Sequence, residues 1–226
     1  MRGVLRLLPF WGPTVWIGGV LLGMSQLWSY ESTPTHAAPA VVQWPTSGSL
    51  RPSSHVTLVM AAHPCCPCTR ASVSELARIM ARSRNAVAAY VLCYTPKILP
   101  KEWHETDLYT RLAAIPGVTV VRDEDGREAA RFHATVSGQT LLFDAAGHLR
   151  YSGGITSARG VEGDSVGQRA VLALIHGEQI QRSRYPAFGC SLFSAPLSGQ
   201  SRSPSQDGAK VVRSLLTRQV EAVPQK

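Results

Sequence analysis

Residues 55–80 read His-Val-Thr-Leu-Val-Met-Ala-Ala-His-Pro-Cys-Cys-Pro-Cys-Thr-Arg-Ala-Ser-Val-Ser-Glu-Leu-Ala-Arg-Ile-Met, and this stretch decides the fold. Its first part, 55–61, is a short run rich in β-branched and apolar residues, which predicts a buried strand. Its last part places Val73, Leu76, Ala77, Ile79 and Met80 at helical spacing, so a helix is expected over 69–84. Ser72 and Glu75 have the spacing of a capping box in the first turn of that helix. Between strand and helix stand Cys65, Cys66 and Cys68. Cysteines at a strand-to-helix junction make a different proposition from cysteines scattered through loops.

Working outward, the strand–helix alternation continues. Asn85 is expected to end the helix, and 86–94 reads as a second buried strand. An amphipathic helix over 103–115 stops before Pro116-Gly117. A third strand follows at 118–121, then an acidic turn at 123–126 and a short helix at 127–132. Residues 140–144 and 149–152 form a hairpin about Ala145-Ala-Gly-His148, and a last helix runs over 166–176. The order β-α-β-α-β-α-β-β-α predicts an α/β domain over 54–192. Its mixed sheet has parallel early strands with right-handed crossovers and an antiparallel hairpin.

The chemistry lies at the first junction. Unpaired N–H groups at a helix N-terminus favour an anion, so a thiol there ionises more easily. A dipole worth roughly 0.3–1 kcal/mol lowers the free thiol value of about 8.5 by less than about one pH unit. Positions three apart share a helix face, which favours Cys65 with Cys68. Cys66 and Cys68 diverge on a regular helix. Cys-x-x-Cys in a βα setting is a redox signature. Rival readings of the cluster are a structural zinc half-site and an inert structural disulfide; no second ligand pair follows at zinc spacing. Haem attachment fails because Thr69 stands where a His is required. Cys93 ends an apolar strand and is expected in the core. Cys190 is either a partner for the surplus thiol or free, and His63 is either a base or ligand beside the thiols or a surface residue.

Composition narrows the class. In 226 residues, apolar types make up 44% and charged types 17%, which excludes a wholly disordered chain. The net charge of +8 divides into +2 for residues 1–53, +3 for 54–190 and +3 for 191–226. The near-balanced middle lacks a basic block interleaved with aromatics, so nucleic acid is not an expected partner.

Arg2 and Arg6 precede an uncharged run from Leu7 to Tyr30, longer than the roughly 20 residues a membrane-spanning helix needs. An uncleaved transmembrane anchor is therefore expected over 1–30. Its N-terminus lies in the cytoplasm and the rest of the chain beyond the inner membrane. A cleaved signal segment is the alternative, with Ala38-Pro39-Ala40 the candidate site. Residues 31–53 read as a linker and 193–226 as a disordered tail, with a short amphipathic helix at about 209–220.

The strand, Cys65-x-Pro67-Cys68, the long helix, two further strands and a terminal hairpin resemble the thioredoxin superfamily. The insert around 123–132 is similar to that of its exported, membrane-tethered members related to the peroxiredoxins. More narrowly, His63-Pro64-x-Cys66-Pro67-Cys68-Thr69-Arg70-Ala71-Ser72 resembles a bacterial group labelled RedB. So do Ser152-Gly-Gly-Ile-Thr156, Arg159-Gly160, Gly163-Asp164 and Phe188-Gly189-Cys190. Val136-Ser137-Gly138-Gln139 stands where thioredoxins place a cis-proline. His63-Pro64 replaces their Trp. The first departure weakens a reductase reading and strengthens a metal one. The narrower group keeps Cys66 and Cys68 while varying the position of Cys65.

The expected function is thiol–disulfide exchange by a periplasm-facing, membrane-anchored protein, with no dissociable cofactor. Cys65 is expected to attack and Cys68 to resolve, with Cys66 a standing candidate. The resemblance implies protein thiols or disulfides as substrates and a membrane electron-transfer partner. Two other readings remain: a copper-binding assembly factor using Cys65, Cys66, Cys68 and His63, and a non-catalytic interaction module.

Overall fold

The structure, a computed structural model, describes residues 8–84, 86–97 and 106–193, with side chains from residue 12 onward. In chain order the elements are α1 (Leu8–Ser32), β1 (Val56–Ala62), α2 (Pro67–Arg82), β2 (Val87–Thr95), α3 (Asp107–Ala113), β3 (Val118–Glu124), α4 (Arg127–Arg131), β4 (Gln139–Phe143), β5 (Leu149–Gly154) and α5 (Val166–Ile175). The strands form one sheet in the order β3-β2-β1-β4-β5. β1 pairs with β2 and β2 with β3 in parallel, while β4 runs antiparallel to both β1 and β5. The expected mixed sheet with flanking helices is present.

β1 holds the centre because both of its faces are apolar. Leu58, Met60 and Ala62 join the α2, α3 and α5 side, packing with Leu76, Ile79, Leu112 and Val171. Val59 and Ala61 face the opposite way, toward Leu141, Phe143 and Phe132. Such two-sided burial explains why the strand reads as a continuous apolar run rather than an alternation. Cys93 lies in the first of these cores, 3% exposed, as its sequence setting predicts.

The second face is closed by residues that the sequence presents as a linker. Ala40, Trp44 and Leu50 are buried there, with the Trp44 ring edge-on to Phe132 and Phe143 at centroid distances of 5.0 and 5.1 Å. Trp44 N–H also donates to Gly147 O at 2.8 Å, which ties this stretch to the β4–β5 turn. A run of Pro, Ser and Thr marks irregular backbone, but irregular backbone still packs where it carries a Trp.

Three expectations are corrected. The transmembrane helix is the first. α1 is 25 residues long, yet no helix among the described residues is long and apolar enough to cross a membrane. Length is not what fails, since 25 residues span about 37 Å. Gly12, Pro13, Thr14, Gly18, Gly19, Gly23, Ser25, Gln26 and Ser29 dilute the apolar content. The capping box is the second. α2 starts at Pro67, so Ser72 and Glu75 lie beyond its first turn, and the N-cap residue is Cys66. Third, β3 continues through the acidic residues to Glu124, and the turn falls on Asp125 and Gly126. Trp103–Glu105, Asn85 and the tail from Ser194, with its expected short helix, lie outside the described residues.

Glu75 does different work. Its fully buried carboxylate accepts from Gly163 N–H at 2.7 Å, from the Gln168 side-chain amide, and from Arg78 at 2.6 Å. It thereby joins α2 to the loop before α5 and to α5 itself. Glu75→Ala leaves two donors in the interior without an acceptor, and is expected to cost about 2–3 kcal/mol in urea denaturation. Glu75→Gln retains an acceptor oxygen and should cost less than Glu75→Ala.

Candidate active site

The site is built where β1 ends. Ala62 passes into a tight turn closed by Cys66 N–H on His63 O at 3.1 Å, and Thr69 N–H on Cys66 O at 3.0 Å opens α2. Pro67 occupies the first turn, where its fixed φ suits the helix and no N–H is needed. Cys66 is thus the N-cap, in extended conformation at φ −87° and ψ 118°, with Cys65 one residue further out. Neither lies on the regular helix. The expectation that Cys65 and Cys68 share a helix face, and that Cys66 and Cys68 diverge, presupposed a helix starting earlier.

The three motif thiols have distinct settings. Cys65 is exposed, Cys66 is 3% exposed, and Cys68 is half-buried. The Cys66 sulfur is 3.2 Å from that of Cys190, a residue 124 positions away. The structure therefore brings Cys190 to the cluster, and leaves Cys93 apart in the core.

Hydrogen bonding decides which thiol ionises. Burial pushes the Cys66 thiol up, but side-chain and backbone donors of Cys190 and of Thr69 outweigh it, and its pKa is lowered overall. Cys68 is raised, first by burial and then by the neighbouring Cys66, with Arg159 partly offsetting both. The Cys190 thiol is pushed up to about 11 by partial burial and by its hydrogen bond and proximity to Cys66. Burial, with Asp123 nearby, takes Cys93 to about 12. One thiol is favoured as thiolate at the expense of those around it.

Opposite the motif stands the loop before β4. Ser137 is fully buried, its hydroxyl accepting from His63 N–H at 2.9 Å and meeting the Thr69 hydroxyl at 2.6 Å. Gly138 N–H donates to Ala61 O at 2.7 Å. At φ +84° this glycine adopts a conformation L residues avoid, and an added Cβ would come within 2.6 Å of Ser72 Oγ. His63 stacks on Tyr94 with ring centroids 5.9 Å apart. Burial lowers its pKa, so it is neutral at neutral pH and adds no positive charge to the thiols. Among the described residues, no group of three or more His, Cys, Asp or Glu side chains is arranged to hold a metal ion.

Ser137 and Arg159 escape a reading of the motif alone. Arg159 donates to Gly189 O at 2.6 Å and to Thr35 Oγ1 at 2.7 Å while its charge acts on Cys68 and Cys190. Both residues reach the cysteines only through the fold; the resemblance marks their positions, at the place of the thioredoxin cis-proline and in the RedB-like Arg159-Gly160, but not their contacts with the thiols.

The strand order, the strand directions and a cysteine turn leading into α2 make this a thioredoxin-like domain in fold. No protein-family model matches the chain, and no curated protein matches it. Among solved structures it is similar to a hypothetical protein from Sinorhizobium meliloti 1021, at 21% identity and TM-score 0.51 over 72% of this chain and 96% of that one. It is also similar to an uncharacterized conserved protein from Geobacillus kaustophilus, at 17% identity and TM-score 0.50, over 74% and 95% of the two chains. A secreted Mycobacterium tuberculosis disulfide oxidoreductase matches at 14% identity and TM-score 0.37, over 55% and 82%. For the first two the likeness is one of fold alone.

Removing the Thr69 hydroxyl by Thr69→Ala is expected to raise the Cys66 pKa, since one of the donors that favour the thiolate is lost. Alkylation of Cys66 should then need higher pH, followed by peptide mass spectrometry across a pH series. Thr69→Ser should restore the wild-type profile. An unchanged profile in Thr69→Ala would show that the hydroxyl does not act on the sulfur.

Proposed function

We propose that this protein is a thiol–disulfide oxidoreductase that works on protein thiols or disulfides through its Cys65-Cys66-Pro67-Cys68 turn. The observation that carries this reading is the setting of Cys66. It is a helix N-cap thiol whose hydrogen-bond donors hold its pKa down, with other sulfurs in reach to accept or return electrons. In thiol–disulfide exchange the thiolate attacks a disulfide sulfur, forms a mixed disulfide, and is released by a second thiol. Each requirement has a candidate here: exposed thiols at Cys65 and Cys190 to meet a substrate, and at Cys66 a buried sulfur favoured as thiolate, which makes it a good leaving group.

The RedB-like sequence pattern around Cys66 and Cys68 supports the same reading. We place the domain outside the cytoplasm, with α1 as the segment that directs its export. Val15, Trp16, Leu21, Leu22 and Trp28 are all exposed on that helix. A disulfide-permissive compartment suits exchange chemistry, and a membrane electron-transfer protein is the natural source or sink of electrons. No dissociable cofactor enters the reaction.

Reduced full-length protein should exchange with a model disulfide and titrate reversibly as a two-electron couple in glutathione buffers. Changing Cys65, Cys66 and Cys68 together to Ser should abolish both, whereas Cys93→Ser should leave exchange intact. Absence of exchange by the wild-type protein would sink the proposal. Location has its own check: a reporter active only outside the cytoplasm, fused after Leu192, should be active, and activity of a cytoplasm-only reporter there would overturn export.

A further inference from the structure

Cys190 is held against the motif by backbone on both sides of it. Thr35 N–H donates to Ala187 O at 2.9 Å, and Gly189 O accepts from Thr35 Oγ1 and from Arg159, each at 2.6 Å. Beyond Gly189 the segment pairs in antiparallel fashion with the Ser137 loop. Ser137 N–H donates to Cys190 O, and Leu192 N–H to Thr135 O, both at 2.8 Å, with Val136 bridged to Ser191. Gly189 runs so close to the Ser137 carbonyl that an added Cβ would collide with it. The segment is fastened to the same loop that is bolted to the cysteine turn. The 3.2 Å sulfur contact is therefore a built feature of the fold, not the resting place of a loose end.

We propose that Cys190 is the redox partner of Cys66. The oxidised protein holds a Cys66–Cys190 disulfide, and the exposed Cys190 sulfur is the one that incoming thiols attack. This rests on the exchange reading above and adds to it a residue outside the motif and a direction of attack. The geometry supplies the reason: Cys66 is 3% exposed, so a protein substrate cannot approach its sulfur, whereas Cys190 is exposed and in contact with it. Closing the contact to the usual S–S length of about 2.05 Å needs a movement of roughly 1 Å, within the reach of side-chain rotation.

The electrons balance as follows. A substrate thiolate forms a bond to the Cys190 sulfur, the Cys66–Cys190 bond breaks, and its electron pair leaves with Cys66 as thiolate. A second substrate thiolate attacks the substrate sulfur of the mixed disulfide. It releases the substrate disulfide and Cys190 thiolate, which takes up a proton. Two substrate thiols are oxidised and one protein disulfide is reduced; the reverse sequence reduces a substrate disulfide. Exchange is faster when the departing sulfur has the lower pKa. Of the donors that lower Cys66, those of Thr69 persist when Cys190 carries no thiol proton, and they favour Cys66 as the departing sulfur.

The test uses the full chain. Wild-type protein and the Cys65→Ser/Cys68→Ser double variant are oxidised with diamide, alkylated, digested without reduction and mapped by mass spectrometry. The double variant resolves which motif cysteine is linked, because residues 65, 66 and 68 share one tryptic peptide. The expected result is a link between the peptides holding Cys66 and Cys190 in both proteins, and its loss in Cys66→Ser. Challenging the oxidised double variant with reduced glutathione, then quenching, should leave glutathione on Cys190 and the alkyl group on Cys66. Glutathione on Cys66 overturns the direction of attack. A wild-type protein that exchanges with a model disulfide but forms no Cys66–Cys190 link, or whose exchange survives Cys190→Ala at the wild-type rate, overturns the pairing and leaves the proposed function standing. Failure of the wild type to exchange at all overturns both.

Discussion

The buried hydroxyl of Ser137 is the point on which the site depends. It sits between the His63 N–H and the Thr69 hydroxyl, one on each side of the cysteine turn, and its own N–H donates to Cys190 O. One residue thereby registers three chain segments: the turn after β1, the loop before β4, and the return of the chain near residue 190. A buried hydroxyl without partners is costly, so a fully satisfied one at this position defines a single arrangement of its neighbours. The neighbouring Gly138 lets the chain turn from that loop into β4 without crowding Ser72.

Upon that frame the sulfurs are differentiated: donors lower Cys66, while burial and the proximity of Cys66 raise Cys68 and Cys190. His63 is neutral and stacked on Tyr94, so the stabilisation of the Cys66 thiolate comes from Thr69 and Cys190. Arg159, whose guanidinium also lies over the Tyr30 ring at 5.0 Å, opposes the rise at Cys68 and Cys190 without reversing it. The result is one acidic thiol among less acidic ones, the arrangement that gives exchange a preferred leaving group.

The rest of the chain closes the sheet. The stretch through Trp44 and the short α4 cover the face of β1 and β4 that α2 and α5 leave open. Asp123 fastens α4 to β3 by accepting from the Glu128 and Ala129 N–H groups at 2.7 and 2.8 Å. Its carboxyl is nevertheless raised, because burial outweighs those two bonds.

Much of this was legible in the order of residues. β1 and α2 were readable from an apolar run followed by helical spacing, because those patterns are the local consequence of facing a core on one side or on two. The hairpin and the strand directions followed from connection lengths, and Cys93 from its place in an apolar strand. Local pattern misled where it stood in for tertiary contact. Ser72 and Glu75 had capping spacing, but the helix begins at Pro67 and Glu75 answers to Gly163 and Gln168. The Pro- and Ser-rich stretch looked like a tether until Trp44 packed. An uncharged N-terminal run proved, as helix α1, too diluted by glycine and polar residues to meet the needs of a membrane span. The cysteine cluster itself was plain in the sequence, and Cys190 stood as a candidate partner for its surplus thiol, but which of the three sulfurs it meets was not legible there. Cys190 lies 124 residues from Cys66, and only the pairing of its segment with the Ser137 loop brings the two sulfurs to 3.2 Å. Spacing along a chain governs contacts within a turn of helix or a hairpin; contacts between distant segments are set by how sheet and loops close on one another.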